Sequence, residues 1–328
     1  MKLVLGPMEG VLDALMRQML TEINGYDMCV TEFVRIVDAL LPPRVYHRMC
    51  PELEAGGKTL SGTPVRVQLL GQSPQYMAEN AAQVVELGSA GVDINFGCPS
   101  KTVNGSKGGA ALLKEPELLF QVVKAVRNAV PAGNVVSAKV RLGFDDCSSY
   151  REIVDAVQLA GADEIVVHGR SKADAYKPGT VRWDLIGDIT KRLRIPVTAN
   201  GDIWNQEDAL RCQAVTGCDT LMVCRGALNV PNLGAHIKHG ETMMSWHAVL
   251  ALLVRYSEFE IRGDKGLYYP NRVKQWFRYL QVQYPQSNAL FTEIRQLKDK
   301  QQILNIITKA LHDVEKQIAR HGEEVVLA

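Results

Sequence analysis

Residues 65–95 read VRVQLLGQSPQYMAENAAQVVELGSAGVDIN. The stretch opens on a short run, Val65–Leu70, and closes on another, Val92–Asn95. Between them Pro74–Leu87 carries apolar residues at helical spacing, and Gly88 stands where a helix should stop. The order is strand, helix, strand. The same unit recurs in both directions along the chain. The other strand-like runs are Leu3–Leu5, Met28–Val30, Val135–Val140, Glu164–His168, Pro196–Ala199 and Thr220–Val223, which brings the total to eight. Amphipathic segments at Pro116–Val130, Tyr150–Ala160 and Gln206–Ala214 separate several of them, with Pro116 placed as a first-turn proline and Gly161 as a stop. Runs that are apolar throughout imply strands covered on both faces, as parallel sheets require. Eight β–α units in succession predict an α/β chain with a closed (β/α)8 TIM barrel, in preference to an open doubly wound sheet.

After residue 244 the strand pattern ends. Ser245 is placed to cap a helix running to Glu258, and helical patterns follow over 270–283, 287–299 and 301–320. The domains expected are a barrel over 1–244, a small all-helical C-terminal domain over 245–320, and a loose tail over 321–328. Residues 31–64, rich in Pro, Arg and His, read as an extended loop over the rim where barrels carry functional insertions.

The 328 residues, 46% hydrophobic and 22% charged, suit a large globular core, and the net charge of +1 says nothing about partners. Its distribution says more: residues 262–300 hold 8 Lys and Arg against 3 Asp and Glu, a modest basic stripe. The 7 cysteines are odd in number and form no CxxC pair, which argues against a disulfide framework or zinc site and for a reducing compartment. MKLVLGPMEG is too short in apolar residues for a signal peptide, and no run is long enough to span a membrane. A cytoplasmic protein with no membrane association is expected.

Barrel active sites gather at the C-terminal strand ends. Here those ends read Gly6-Pro7-Met8-Glu9, Thr31-Glu32, Gln68, Asn95-Phe96-Gly97-Cys98-Pro99, Lys139-Val140-Arg141, His168-Gly169-Arg170, Asn200-Gly201-Asp202 and Cys224-Arg225-Gly226. Asn200-Gly201-Asp202 and Arg225-Gly226 close the last two strands, where barrels hold a phosphate on backbone N–H groups. No strand runs into GxGxxG, and Gly105–Gly109 has the wrong spacing, so a dedicated dinucleotide domain is not expected. Lys139 ends an otherwise apolar strand. Three roles are open to it: offsetting charge on a reduced flavin, forming a Schiff base as in aldolases, or pairing in a structural salt bridge. His168 suits either a hydrogen bond to a ring oxygen or a place in the core. Cys98 stands apart from the other cysteines because Gly97 and Pro99 shape what reads as an exposed turn around it. A thiol there is mainly protonated at neutral pH and able to donate.

Taken in order and spacing, Gly6–Gly10, Asn95–Ser100, Lys139-Val140-Arg141-Leu142-Gly143, His168-Gly169-Arg170 and Asn200-Gly201-Asp202 resemble the tRNA-dihydrouridine synthases. Thr31–Arg35, Lys101–Gly105, Gly266-Leu267-Tyr268 and Arg272–Trp276 point to the bacterial C-type subfamily, which is associated with U16 of the tRNA D-loop. The resemblance implies FMN in the barrel mouth, bordered by Pro7, Met8, Glu9, Gln68, Lys139 and His168. Asn200, Gly201, Asp202, Cys224 and Arg225 would hold its phosphate. Asn95 and Arg141 would hold the uracil with Tyr176 nearby, and Arg35, Arg272, Lys274 and Arg295 would orient the tRNA. It also implies a reaction: hydride from reduced flavin to C6 of uridine, a proton from Cys98 to C5, and re-reduction by NADPH or NADH. A target base out of its stack and a monomeric enzyme are expected.

Three residues depart from the family pattern: Cys224 where Gly-Arg-Gly is usual, Phe96 for a smaller residue, and Lys107 within a glycine-rich stretch. A positive φ at position 224 would strain the cysteine by about 1–2 kcal/mol and loosen FMN. Three rivals are a flavin barrel that reduces a free pyrimidine, an RNA-binding barrel without activity, and a Schiff-base aldolase, which a colourless purified protein would favour. The first has no use for a basic helical domain, and the second leaves Cys98, Lys139 and His168 unexplained.

Overall fold

The computed structural model describes residues 1–259 and 264–321. Arg262 of the basic stripe lies outside the described residues. So does the expected tail, apart from the backbone of His321, which ends a helix. Eight strands close a barrel in chain order: β1 Lys2–Leu5, β2 Met28–Arg35, β3 Val65–Leu70, β4 Val92–Asn95, β5 Val136–Gly143, β6 Glu164–Ser171, β7 Val197–Asn200 and β8 Thr220–Val223. Every pairing is parallel, including β1 with β8. The helices expected between strands are present at Pro74–Glu86, Pro116–Ala129, Tyr150–Leu159 and Gln206–Thr216.

Three strands outrun their expected ends by three residues or more, and β7 by one. β2, β5 and β6 continue into polar residues, and pairing persists there through register shifts at Val30/Phe33 and Arg141/Gly143. A shift of this kind re-aims side chains, and these lie at the barrel rim.

Residues 31–64 are not an extended loop. Strand β2 takes the first part, a helix spans Pro43–Met49, and a 3-10 turn spans Pro51–Ala55. The anchor is Arg17, fully buried, whose Nε and Nη2 each donate to the Glu52 carboxylate at 2.8 Å. Its Nη1 also donates to the Leu12 carbonyl at 3.0 Å. A buried guanidinium must be paired, and that requirement folds the excursion back onto the barrel.

The lumen differs from the continuous apolar reading. All six residues of β3 are buried, yet Arg66 and Gln68 alternate with Val65, Val67 and Leu69. Arg66 pairs with Glu164 of β6, and Lys139 of β5 reaches Asn200 of β7. Neither pair joins neighbouring strands, so both contacts cross the lumen. Val4, Val30, Val166 and Met222 form an apolar cluster from β1, β2, β6 and β8. The interior is therefore divided, apolar on one side and polar along β3 to β5.

The chain divides into two compact units, Met1–Cys224 and Arg225–Ala328, so the break precedes the one expected at 244/245. Residues 226–239 belong with the later helices for a physical reason. Trp276 Nε1, buried on the helix Tyr268–Gln283, donates to the Leu228 carbonyl at 3.0 Å. Asn232 is tied to Thr242 and Met244, and the Tyr284 hydroxyl donates to the Met244 carbonyl at 2.8 Å. Further helices span Trp246–Tyr256, Ser287–Ile294 and Lys300–His321. Ser245 caps the first, as expected, by accepting from the Ala248 N–H. Among the described residues no helix is long and apolar enough to cross a membrane.

Candidate active site

The C-terminal ends of β3 to β7 bring Gln68, Asn95, Lys139, Arg141, His168 and Asn200 into one polar mouth, all of them buried. Cys98 follows β4. The Asn95 Oδ1 accepts from the N–H groups of Gly97 and Cys98, both at 2.9 Å, which sets the turn. On the far side Asn104 Nδ2 donates to the carbonyls of Cys98 (2.9 Å) and Ser100 (2.7 Å), and the Ala110 N–H donates to Cys98 at 3.1 Å.

The turn was expected to be exposed, and it is not: Cys98 is 7% accessible, packed with Leu70 and Val103. The segment 101–110 folds over it because Asn104 satisfies the turn's carbonyls from that side. Gly109 sits so close that a Cβ there would meet Cys98 Cβ at 3.0 Å. Burial is the main reason the thiol's pKa is pushed above its ordinary value of 9.0, and the Glu9 carboxylate adds to it. The Ser100 N–H, Arg141 and Lys139 pull the other way. The net direction favours a protonated thiol, suited to an acid and poor as a nucleophile.

Lys139 lies beside this turn, and its Nζ donates to Asn200 Oδ1 at 3.2 Å. Burial lowers its pKa from 10.5, opposed by the nearby Cys224, Asp93 and Cys98. Asn200 is held by its own amide, which donates to the Met222 carbonyl at 2.8 Å. Arg141 joins two parts of the mouth. Its Nε donates to the Gly97 carbonyl at 2.9 Å, and its Nη1 donates to Ser171 (3.0 Å) and Ala175 (3.3 Å). The guanidinium stands 5.3 Å from the Tyr176 ring centroid, and Tyr176 is 48% exposed. The His168 ring lies 6.2 Å from that of Tyr176.

Arg170 had been assigned no role. It is 1% exposed and grips the Asp202 carboxylate with Nη1 and Nη2, at 2.9 and 2.5 Å. It also holds the Lys177 carbonyl and the Thr180 hydroxyl. Arg141 and Arg170 thus bracket the loop that presents Tyr176. The Asp202 carboxylate is thereby committed to Arg170. Asp202 has φ +53° and Gly201 φ +122°, and a Cβ at 201 would come within 3.0 Å of the His168 ring.

Pro7 and Met8 follow β1 half-buried, and Glu9 is exposed. Arg35, at the end of β2, donates to the Ser106 hydroxyl. Arg225 opens the second unit directly after Cys224. Within that unit Arg272 stacks over the Tyr268 ring and donates to Gln275 Oε1 at 2.9 Å. Lys274 Nζ donates to the Leu297 carbonyl at 2.7 Å, which brings it beside the exposed Arg295 just past the helix Ser287–Ile294.

Asp93 and Ser137 escaped the sequence reading. Asp93 is buried, and its carboxylate accepts from Gln68 Nε2 at 2.6 Å and from the Ser137 hydroxyl at 2.5 Å. The signal was present as polar residues at every second position: Arg66/Gln68, Asp93/Asn95 and Ser137/Lys139/Arg141.

The family model for dihydrouridine synthase (Dus) matches residues 4–317. The chain belongs to the dihydrouridine synthase family. It is similar to the tRNA-dihydrouridine(16) synthase of Vibrio parahaemolyticus, at 61% identity over 295 residues, 90% of this chain and 92% of that one. The Escherichia coli protein of the same name is 56% identical over 316 residues, 96% of this chain and 100% of that one. Among solved structures, 2-naphthoyl-CoA reductase superposes with a TM-score of 0.54 at 11% identity, covering 72% of this chain and 50% of that one. A variant of NCR from Zymomonas mobilis gives 0.54 at 13%, covering 74% and 88%. At such identities the likeness is one of fold alone, a (β/α)8 barrel.

Against the family pattern, Cys224 proves unstrained. Among the described residues the only non-glycines with positive φ are Lys107, Ala175 and Asp202. The Cys224 sulfur instead fills the space over Gly6, where a Cβ would meet it at 2.6 Å. Phe96 is fully buried. Strain falls on Lys107, at φ +58°. Lys107→Gly is expected to stabilise the folded chain by about 1 kcal/mol, read from urea unfolding midpoints at unchanged slope.

Proposed function

We propose that this dihydrouridine synthase reduces the C5=C6 bond of U16 in the tRNA D-loop, with FMN seated in the barrel mouth and NADPH as reductant. The observation that carries the reading is a buried Cys98, its thiol pKa raised by burial, held in one mouth with Lys139, Asn95 and Arg141. Relatives named for position 16 at 61% and 56% identity support the position.

The residues fit the cofactor. Lys139 is a desolvated cation suited to an electron-rich ring, and Gln68, His168 and Asn200 supply polar groups around it. Gly201, with φ +122° and no Cβ, lets the backbone after β7 come close to a phosphate. When bound, reduced FMN supplies the hydride for C6, and NADPH restores it. The protein does the rest. Cys98 holds a proton for C5, where charge builds once C6 is attacked. Asn95 donates one amide hydrogen to Gln68 at 2.7 Å, and its second is available to a uracil carbonyl. Arg141 places positive charge beside the same turn and, through Ser171 and Ala175, presents Tyr176 to a base that has left its stack.

The test is dihydrouridine formation on D-loop-unmodified tRNA with the product position mapped. Product at U16 is expected. Equal turnover of free uracil or orotate, with none on tRNA, would move the assignment to a small-pyrimidine reductase.

Arg272 and Arg295 are the better pair for testing the basic stripe, because Lys274 also serves folding through Leu297. Arg272→Ala with Arg295→Ala should raise the KM for tRNA and make the slope of log affinity against log salt shallower by about 1–2. Oxidation of NADPH by the enzyme without tRNA should not change. Equal loss of both half-reactions would assign the stripe to folding.

A further inference from the structure

The hydrogen bonds behind Cys98 all run one way. The N–H groups of Gly97 and Cys98 donate to Asn95 Oδ1, Asn95 Nδ2 donates to Gln68 Oε1, and Gln68 Nε2 donates to Asp93 Oδ2. Ser137 donates to the other Asp93 oxygen and itself accepts from Arg66 Nη1 at 3.1 Å. A backbone N–H can only donate, and an ionised carboxylate can only accept. Between those two ends each amide has a single permitted orientation, although either way round fits the same space. Reversing one would set N–H against N–H inside a buried site and leave a hydrogen bond unmade.

We infer that Asp93 is a positioning residue for the reaction: acting through Gln68 and Asn95, its carboxylate fixes the turn that aims the Cys98 thiol. The inference rests on the proposed role of Cys98 as the acid. Asp93 touches neither the thiol nor the space in front of it. It sets the polarity of two amides in series, and the second holds the backbone on either side of the Gly97–Cys98 peptide. Burial is the largest influence and raises the carboxyl's pKa above its ordinary value, while Gln68, Ser137, Arg66 and Lys139 pull it down and support the ionised form. These four explain why a carboxylate is tolerated beneath the site. An apolar residue would pack there equally well but would give the amides no direction.

The test exchanges the polarity instead of deleting it. Asp93→Asn keeps the shape, but its new NH2 must face either the Gln68 amide, N–H against N–H, or Ser137, whose hydroxyl hydrogen then loses its acceptor. Gln68→Glu sets two carboxylates against each other. In the double variant every bond can be remade. The carboxylate at 68 accepts from Asn95 and from the new amide at 93, whose oxygen still accepts from Ser137.

Two readouts are taken on the full chain: the single-turnover rate of dihydrouridine formation by pre-reduced enzyme, and the rate of Cys98 alkylation by iodoacetamide, mapped by peptide mass. Each single variant should slow the first by about 10- to 100-fold, as misplacement of a reacting group does. Each should also speed the second severalfold as the turn loosens. The double variant should move both readouts back toward wild type, ahead of either single one. Additive losses in the double variant, or an Asp93→Asn protein equal to wild type in both readouts, would overturn the inference. A wild type that makes no dihydrouridine would instead defeat the proposed function, and the alkylation rates would still decide whether Asp93 sets the turn.

Discussion

Cys98→Ala is expected to lose dihydrouridine formation by about 10²–10⁴-fold, the range general acids supply, while NADPH still reduces the enzyme at the wild-type rate. The separation follows from the site. The thiol sits on a turn held by Asn95 and Asn104, not on the residues assigned to the cofactor. Removing one sulfur leaves those bonds intact. Single-turnover formation of dihydrouridine measures the first half of the claim, and the flavin absorbance on mixing with NADPH measures the second. The pH dependence has a definite sign. The acid form is the active one, and burial with Glu9 raises the thiol's pKa above 9.0. The tRNA step should therefore hold through neutral and mildly alkaline pH and fall only as pH climbs through that raised value. A rate that instead rises with pH near 8 would mean the thiolate acts, and a nucleophile would replace the acid.

Lys139→Met should cost about 10²–10³-fold in the NADPH half-reaction, as loss of an electrostatic stabiliser does. Methionine matches much of the lysine's length and removes its charge. The fold should not suffer: Lys139 is 9% exposed with a neutral amide at 3.2 Å, and the cost of burying its charge outweighs its attraction to Cys224 and Asp93. The folded state lowers the pKa from 10.5, so the native chain binds this proton less tightly than the unfolded one. Stability contributed at this site therefore rises as pH approaches 10.5 from below. Relative to wild type, the variant should gain most at neutral pH, and the difference should shrink as pH rises. Unfolding midpoints at a series of pH values check this, and stopped-flow reduction checks the rate. A variant that unfolds more easily at pH 7 would mean that Lys139 is a paired structural cation.

Much of this was legible before any coordinates. The β–α succession from Leu3 to Val223 appears in the structure with ends shifted by a few residues, except at β2, β5 and β6. Those ends were misplaced because Glu32, Arg141 and Arg170 break the apolar pattern while the backbone goes on pairing. The mouth residues could be named because strand ends in a parallel barrel share one rim, so each polar strand end pointed to it. Asp93 and Arg170 were harder. Each is a charged residue whose partner lies tens of positions away, at Gln68 and Asp202, and no local pattern links them. Cys98 was read as exposed because Gly97 and Pro99 signal a turn, and turns usually face water. The segment that covers it is held by Asn104, a contact that only the folded chain makes.

The sequence by itself determined the order of strands and helices, the closed barrel and the family, and it named the polar side chains that end the strands. Periodicity, turn residues and motif spacing are local, and local patterns survive in a linear string. The tertiary structure alone decided that Cys98 is buried and that the Asp202 carboxylate pairs with Arg170. It alone placed residues 226–239 with the C-terminal helices, and it alone pointed the amides of Gln68 and Asn95 in one direction. Those outcomes depend on burial and on hydrogen-bond partners brought together by closure of the barrel, which residue types in sequence do not specify.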